Sequence, residues 1–288
     1  MVKALSLCAL AFASACSTPE APLPVPDRAS RRAHLAGAET FLPVLSEAEG
    51  LDVLREAPVV ILDADFYTED DVTALRRAGT LSLGYVNIGE AETYRPFYDD
   101  VDPAWVLGDN PNWPGHSYVD AREAGWRRLV VDRVSRAIVA KRFGGLFLDM
   151  ADVAAPGVHP ETREGIERLI LDLRAAYPTH LLVMNRGLFL LGDESRVEAA
   201  IDGVVVEGVF SHHDFATGET RTTAPARRDP LVAALRGFRD RSGGAALVID
   251  YADTDAQRRA ARAEAARYDL PIFVGAVDLG RRDDDGDA

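Results

Sequence analysis

Cysteine is scarce in this chain: the 288 residues contain two, Cys8 and Cys16, both within the first sixteen positions. From residue 17 onward there is no thiol for a disulfide, a thiolate nucleophile or a cysteine-based metal site. The sequence also has no Ser-His-Asp order, no phosphate loop and no Gly-rich dinucleotide fingerprint after its early strands. These absences argue against thiol, serine-triad and nucleotide-dependent chemistry.

Positive charge is also in short supply. The chain has 46 acidic and 32 basic residues, a net charge of −14, which argues against a nucleic-acid partner and against adhesion to anionic lipid. A cationic or neutral partner fits better, although negative charge can also serve solubility alone. Three of the histidines, His116, His159 and His180, are isolated, and His212 and His213 are adjacent, so their side chains diverge. We therefore expect neither a metal nor another cofactor.

The first residues are typical of a targeting segment. Lys3 is followed by a mostly apolar run, residues 4–13, and then by Ala13-Ser14-Ala15-Cys16, which resembles a bacterial lipoprotein signal with Cys16 as the lipidated residue. The alternative is an ordinary secretory signal cut nearby. We expect residues 1–16 to be the signal and residues 17–38, rich in proline, to be a semi-extended tether. Ser17 favours the outer membrane if the host is Gram-negative, so the predicted location is the cell envelope.

Short β-rich runs alternate with helical segments from residue 40 onward, which predicts right-handed βαβ units and a parallel sheet. The predicted helical segments are 69–78, 123–142, 160–177, 191–200, 228–241 and 254–268. The eight runs are Phe41–Leu45, Val59–Phe66, Leu81–Glu90, Leu146–Asp152, Leu181–Asn185, Val204–Gly208, Ala246–Tyr251 and Ile272–Leu279.

Eight strands favour a single (β/α)8 barrel over residues 39–280, and a domain of about 240 residues is within the usual size of such barrels. Pro43 makes the first strand the weakest prediction. Residues 97–122 are expected to be a long loop, in which Trp113 forms a sugar platform or simply pins the loop. The tail, residues 281–288, is charged and is expected to be disordered.

Polar residues end seven of the eight predicted strands. In a parallel barrel these ends form one rim, and active sites of barrels lie on that rim. Each acid could instead cap the helix that follows it, and this alternative fits Asp250 and Asp278 best. The seven residues are Asp63, Glu90, Asp149, Asn185, Glu207, Asp250 and Asp278.

A rim of carboxylates suits divalent metal binding, recognition of a cationic ligand, or acid and base work on glycosides. Glycoside hydrolysis requires two carboxyl groups that flank one bond. Asp149 shares a strand face with Phe147, Glu207 shares one with Val205, and their strands are two apart, so the two side chains can converge in one layer of the barrel. Asp149 and Glu207 are therefore the predicted catalytic pair.

Two motifs resemble glycoside hydrolase family 114, the endo-α-1,4-polygalactosaminidases. The stretch from Gly84 to Arg95, GYVNIGEAETYR, is similar to the family signature GY-x-x-x-GEAE-x-YR, and residues 145–152, GLFLDMAD, are similar to its G-x-x-LD-x-x-D strand. Asn185-Arg186-Gly187, Val206-Glu207-Gly208 and Asp250-Tyr251 follow in the family's order. The resemblance covers roughly residues 40–280.

The resemblance implies a barrel hydrolase that cleaves α-1,4-linked galactosamine polymers with an aspartate on strand four and a glutamate on strand six. Carried over, these are Asp149 and Glu207. We expect Asp149 to be the nucleophile and Glu207 the acid/base, with retention of configuration if the carboxylates lie about 5–5.5 Å apart and inversion at about 6.5–9.5 Å. One departure concerns the substrate: Met184-Asn185-Arg186-Gly187 stands where many relatives carry a Gln-Asn-Gly type of sequence. Arg186 thus places a cation near the expected amino-sugar site.

Other rim residues have predicted supporting roles. Asp65 and several of the substrate-binding candidates could hold ammonium and hydroxyl groups, Tyr85 and Tyr251 could stack on a sugar ring or fill the core, and Arg95 is expected to pin Glu90 or Glu92. The predicted substrate-binding set is Asp63, Tyr85, Glu90, Asp152, Asn185, Asp250 and Tyr251.

Two other functions remain open at this stage. The barrel could bind a cationic glycan without cutting it, or it could be a scaffold lipoprotein of an exopolysaccharide system. The expected partner is an amino-sugar polysaccharide, with no nucleic acid and with membrane contact only through a lipid anchor. We expect a monomer.

Overall fold

All eight predicted runs contain a strand of one parallel sheet. The computed structural model describes residues 25–279, so the predicted signal, Cys16 and the acidic tail 281–288 lie outside the described residues. Within that range the strands are β1 (Leu42–Val44), β2 (Val59–Leu62), β3 (Leu81–Asn87), β4 (Glu90–Glu92), β5 (Val106–Asp109), β6 (His116–Val119), β7 (Gly145–Asp149), β8 (Leu181–Asn185), β9 (Gly203–Glu207), β10 (Ser211–Asp214), β11 (Glu219–Thr222), β12 (Ala245–Tyr251) and β13 (Ile272–Gly275).

The parallel sheet curves into a nearly closed barrel, which confirms the predicted (β/α)8 architecture. Its strand order is β1-β2-β3-β7-β8-β9-β12-β13. The two edge strands approach each other where the amide N–H of Leu45 donates to the carbonyl of Leu279 at 2.9 Å. Pro43 is accommodated because β1 is an edge strand of this sheet, where a missing N–H costs little.

Helices connect the strands on the outside of the barrel. Thr68 and Thr254 are the N-caps of the helices Glu69–Arg77 and Asp255–Ala266, and each forms a complete capping box. The predicted segment 191–200 is helical only at its end, and the predicted segment 123–142 contains a π-helical stretch, Leu129–Ser135, between two α-helical turns. The α-helices are α1 (Arg28–Ala36), α2 (Leu51–Leu54), α3 (Glu69–Arg77), α4 (Ala124–Arg128), α5 (Arg136–Ala140), α6 (Arg163–Ala176), α7 (Arg196–Ala200), α8 (Pro225–Ser242) and α9 (Asp255–Ala266).

Two additions rise above the barrel at the carboxyl ends of its strands. Residues 97–122 were expected to form a loop, but they contain β5 and β6, which join β4 in a three-stranded antiparallel sheet. Strands β10 and β11 form an antiparallel hairpin after β9 that the sequence did not predict. Both additions border the mouth of the barrel.

The apolar core has two layers because side chains alternate across each strand. One layer fills the barrel and includes Ile61, Leu83, Phe147, Val183 and Leu247. The other layer packs the outer faces of the strands against the helices. Odd-numbered residues of β2, β3, β7, β8, β9 and β12 therefore point into the barrel, and even-numbered residues point toward the helices.

Helix α1 closes the amino-terminal end of the barrel. Leu35 is fully buried among the lowest barrel residues, and the guanidinium of Arg31 donates to the carbonyl of Thr179 at 2.9 Å. The predicted tether over residues 17–38 is therefore wrong from Arg28 onward, where the chain is helical and packed. Among residues 25–279, no helix combines the length and the apolar character needed to cross a membrane.

Candidate active site

A cleft of about 480 Å³ opens at the carboxyl ends of the barrel strands. Strand alternation brings one inward-facing residue at or near the carboxyl end of each of five strands to its floor, just above the apolar core. These residues are Tyr85, Asp149, Asn185, Glu207 and Tyr251. The predicted catalytic pair thus lies at the centre of the mouth.

Asn185 lies between the two predicted catalytic carboxylates. Its Nδ2 donates to Asp149 Oδ1 at 2.8 Å and to Glu207 Oε1 at 2.6 Å. Because both oxygens bind the same nitrogen, they are separated by no more than the sum of these two distances, about 5.4 Å. The two carboxyl groups therefore lie close enough together to act on the two atoms of one bond.

Asp149 is positioned by three donors. Besides Asn185, the backbone N–H of Met150 donates to Oδ1 at 2.8 Å and the Tyr85 hydroxyl lies 2.9 Å from Oδ2. Burial, reinforced by the charge of Glu207, raises the pKa of Asp149 to about 7. Asp149 therefore holds a proton over most of the acidic and neutral range.

Glu207 has the opposite electrostatic character. Burial alone would raise its pKa, but the Arg186 guanidinium and the hydrogen bonds from Tyr251 and Asn185 outweigh burial and hold the pKa below its usual range. Arg186 Nη2 lies 2.9 Å and the Tyr251 hydroxyl 2.5 Å from Glu207 Oε2. These opposite shifts favour an ionised Glu207 beside a protonated Asp149 below about pH 7, where the pair then shares one proton.

Arg186 connects Glu207 to a third carboxylate. Its Nη1 lies 3.8 Å from Asp152 Oδ2, while Asp152 Oδ1 is buried with no hydrogen-bond partner among residues 25–279. Burial raises the pKa of Asp152 by more than Arg186 lowers it. Asp152 lines the cleft, as the predicted substrate-binding role requires.

A second group of charged residues lies beside the floor of the cleft, on and near β4. Glu92 is buried, binds Arg95 at 2.5 Å, and accepts a hydrogen bond from Tyr94 at 3.0 Å. The prediction that Arg95 pins an acid is confirmed for Glu92, whereas Glu90 binds Asn110 at 2.6 Å.

Glu90 lies at the edge of the cleft, where its second carboxylate oxygen is 3.1 Å from His116 Nδ1. The carboxylate is nevertheless almost fully buried at 1% exposure. Burial lowers the pKa of His116, but the hydrogen bond that its Nδ1 donates to Glu90 and the charge of Glu92 raise it by more. His116, which seemed isolated in the sequence, thus belongs to the cleft.

Two predicted substrate ligands lie elsewhere. Asp63 is buried outside the main cleft, and its Oδ1 and Oδ2 accept hydrogen bonds from Arg95 Nη1 at 2.9 and 2.7 Å. Asp250 is fully buried and faces outward from β12, where it accepts the backbone N–H groups of Val209, Phe210 and Ser211 at 2.7–2.8 Å. Neither carboxylate lines the cleft, and both oxygens of each already accept hydrogen bonds within the protein, so we correct both predictions to structural roles.

The stacking role considered for Tyr85 and Tyr251 is also inconsistent with their contacts. Each phenol hydroxyl binds one carboxylate of the central pair, and Tyr251 is only 6% exposed. Both rings belong to the upper layer of the barrel interior or pack against it. We therefore interpret these tyrosines as positioning residues for Asp149 and Glu207.

An aromatic wall, which the sequence did not predict apart from Trp113, borders the cleft. It consists of Tyr94, Trp113 and Phe215, which are 61%, 36% and 45% exposed. Trp113 follows β5 and Phe215 follows β10, and their rings meet edge-on at 5.7 Å between centroids. The only sequence signal was the presence of aromatic residues in segments too polar to join the core.

Carboxylates and imidazoles line the cleft, and both kinds of side chain can bind metal ions. In the part of the chain that the structure describes, no three of them are grouped as metal ligands would be.

Comparisons with known proteins agree with this geometry. Residues 25–280 match the model of glycoside-hydrolase family GH114. The glycoside hydrolase domain of PelA from Pseudomonas aeruginosa has 24% identity and a TM-score of 0.73, covering 85% of this chain and 97% of that domain. Ega3 of Aspergillus fumigatus, solved with galactosamine, has 17% identity and a TM-score of 0.68, covering 85% and 94%.

A sequence relative extends over most of both chains. An uncharacterized protein of Deinococcus radiodurans is 23% identical over 246 residues, which are 80% of this chain and 77% of the relative. At these identities the structural likeness to PelA and Ega3 shows the barrel fold, while the family match rests on the sequence model.

Proposed function

This chain belongs to glycoside-hydrolase family GH114, and we propose that it cleaves α-1,4-linked, galactosamine-containing polysaccharide through Asp149 and Glu207. The galactosamine bound to Ega3, a protein of the same barrel fold, supports the sugar class. The net charge of −14 and the buried carboxylates of the cleft agree with a polymer that carries ammonium groups.

The observation that carries this proposal is the bridge through Asn185. The upper limit of about 5.4 Å for the distance between Asp149 Oδ1 and Glu207 Oε1 is compatible with the separation of about 5–5.5 Å in retaining enzymes and lies below the roughly 6.5–9.5 Å of inverting ones. We therefore propose a double displacement. One carboxylate attacks the anomeric carbon while the other carboxyl protonates the leaving oxygen, and water then hydrolyses the glycosyl-enzyme.

The roles within the pair depend on where its one proton lies. We assign Asp149 as nucleophile because three donors remain to stabilise its charge once the proton has left. Glu207 becomes the acid when substrate draws the Arg186 guanidinium away, since loss of that cation raises the pKa of Glu207. Substrate binding thus transfers the resting proton from Asp149 to Glu207.

Trapping the covalent intermediate tests this assignment. A slowly released substrate analogue that stays bonded to the enzyme should be found on a peptide that contains Asp149 by mass spectrometry. A label on Glu207 would reverse the two roles while leaving the retaining mechanism in place.

Release of reducing ends from partly N-acetylated α-1,4-galactosaminan tests the activity itself. We expect Asp149→Asn and Glu207→Gln each to lower the rate by about 10²–10⁴-fold. Glu167→Gln, which changes an acid on α6 that pairs with Arg163 away from the cleft, is the matched control and should leave the rate close to wild type. Hydrolysis that persists in both Asp149→Asn and Glu207→Gln would contradict the proposal. Binding of the polymer without hydrolysis by the wild type would favour a glycan-binding module.

We further propose that the enzyme is anchored in the cell envelope through Cys16. The described chain enters the barrel through α1, at the end opposite the cleft, so an anchor before α1 would leave the cleft facing away from the membrane. Metabolic labelling with a fatty acid should mark the wild type and not Cys16→Ser. A labelled Cys16→Ser protein, or an unlabelled wild type, would contradict the anchor.

A further inference from the structure

Arg186 places a positive charge directly at the reacting centre. Its Nη2 lies 2.9 Å from Glu207 Oε2, and the side chain, 36% exposed, forms part of the cleft surface. The backbone at Arg186 has a φ of 58°, a left-handed conformation that is unusual for a residue with a side chain. A cation is thus held where a sugar has to sit.

The guanidinium keeps most of its hydrogen-bonding capacity. Arginine has five N–H donors, and within residues 25–279 one of them hydrogen-bonds, to Glu207, while the approach to Asp152 is longer at 3.8 Å. The remaining donors are available to a ligand in the cleft. A side chain whose only task was to neutralise Glu207 would need no exposed donors.

C2 of a 2-amino sugar is bonded to the anomeric carbon, and the anomeric carbon has to lie between Asp149 and Glu207 for either to react. A substituent on C2 can therefore reach the Arg186 guanidinium. An ammonium on C2 would be repelled by this cation, whereas an acetamido group offers a neutral carbonyl oxygen to the free N–H donors.

Resting on the proposed function, we infer that Arg186 selects an N-acetylated galactosamine unit for the subsite whose anomeric carbon reacts, while ammonium-bearing units are accepted farther along the cleft. The acids Glu90 and Glu92 also line the cleft, on the side of β4, and neither forms an ion pair with Arg186 among residues 25–279. The same movement of Arg186 toward the acetamido oxygen would release Glu207 to take up its proton. Arg186 is then a specificity-determining residue.

The new reducing ends of the products report this choice directly, because each new end is the sugar that occupied the reacting subsite. The substrate is a partly N-acetylated α-1,4-galactosaminan, and the ends are labelled by reduction and identified by mass spectrometry. For the wild type we expect N-acetylgalactosamine to be enriched several-fold at new ends relative to the polymer. Ends that match the polymer composition, or that are enriched in galactosamine, would overturn the inference.

Variants of Arg186 separate its charge from other effects. Arg186→Gln removes the cation and should abolish the enrichment, while Arg186→Lys keeps a cation and should retain exclusion of galactosamine. Arg227→Gln removes another cation that lines the cleft and serves as the control, which should leave the composition of the ends unchanged. An enrichment that persists in Arg186→Gln would overturn the assignment.

Failure of the inference is distinguishable from failure of the proposed function. If the wild type releases no new ends from any preparation of the polymer, the proposed function is wrong. If it releases ends with no bias toward either sugar, only the role of Arg186 is wrong.

Discussion

The two ends of the barrel both contain buried charge, but they balance it differently. At the amino-terminal end the fully buried Asp202 binds three guanidinium groups, those of Arg28, Arg32 and Arg174, at 2.6–3.2 Å. At the carboxyl end one guanidinium, Arg186, serves the carboxylates of Glu207 and Asp152, and Asp149 has no cation within ion-pair distance among residues 25–279.

This difference separates a structural site from a reactive one. Asp202 also accepts the backbone N–H of Leu182 at 3.0 Å, so its charge is fully compensated and fixes α1 to the barrel. Asp149 lacks such a cation, and burial beside like charge raises its pKa to about 7. A buried carboxyl that takes up a proton near neutral pH is useful for chemistry and costs stability where it is ionised.

Among substitutions that test the difference between the two ends of the barrel, replacement of Asp149 is expected to have the largest effect. Because its folded-state pKa is about 7 and its unfolded value is about 3.9, the folded state retains a proton that the unfolded state loses as pH rises from about 4 to 7. Stability therefore falls through that window. Asp149→Asn should lose activity yet unfold at a higher temperature than the wild type at pH 8, with a smaller difference at pH 4.

Thermal unfolding of both proteins at the two pH values measures this effect. A variant that is less stable than the wild type at pH 8 would show that the wild-type Asp149 is ionised and well compensated. Such a result would remove the distinction between the two ends of the barrel.

Asp202→Asn should have the opposite result. Removing one member of a buried ion pair leaves uncompensated charge and costs about 3–5 kcal/mol, so we expect a large loss in the free energy of unfolding by urea. Activity measured well below the unfolding temperature should stay near the wild-type value. Asp172→Asn, on the surface of α6 beside Arg168, is the control and should change stability by less than about 1 kcal/mol.

A proportional loss of activity in Asp202→Asn would instead link the amino-terminal cluster to catalysis. In that case the assignment of the two ends to separate tasks would be wrong.

Asp250 and Tyr251 offer the same contrast between adjacent residues. Burial raises the pKa of Asp250 to about 7, as it does for Asp149, but both Asp250 oxygens accept backbone N–H groups. The amide nitrogen of Asp250→Asn would therefore face a backbone donor, and the variant should lose about 1–3 kcal/mol of stability. Tyr251→Phe removes the hydroxyl that binds Glu207 and should lower kcat with little change in stability. Urea unfolding together with kcat for both variants checks this, and a catalytic defect without destabilisation in Asp250→Asn would restore it as a ligand.

Trp113 is expected to give the smallest effect. It is partly exposed and contacts Phe215 in the aromatic wall of the cleft. An aromatic face there can pack on a sugar ring and contribute about 0.5–1.5 kcal/mol to binding. Trp113→Ala should raise KM for the polymer several-fold and leave kcat nearly unchanged. If Trp113 only pins its loop, the variant should lose thermal stability and leave KM unaltered.

Strand alternation explains how much of the site could be predicted from the sequence. Asp149 and Glu207 share the parity of Phe147 and Val205, so their convergence followed from the pattern, and the structure places both at the mouth. The same rule could have excluded Asp250, because its neighbour Tyr251 points inward. Strand alternation thus argues against the prediction of Asp250 as a substrate-binding residue.

Other features depend on contacts that a single sequence does not contain. The bridge from Asn185 and the ion pair of Arg186 with Glu207 arise from the spacing of β7, β8 and β9 in three dimensions. The folding of α1 against the barrel does not follow from the sequence because the prolines that precede it and its own charges are typical of a tether, whereas Leu35 and Arg31 are buried there. The Trp113–Phe215 contact joins two additions whose strands were not predicted.

The anomeric configuration of the first product tests the central claim, that Asp149 and Glu207 are close enough to act by double displacement. Proton NMR during the first minutes of hydrolysis of an α-1,4-linked galactosaminan distinguishes the two anomers before they interconvert. An initial α-anomer is the predicted result, because two displacements restore the configuration. An initial β-anomer would contradict the mechanism and the proposed roles of both carboxylates.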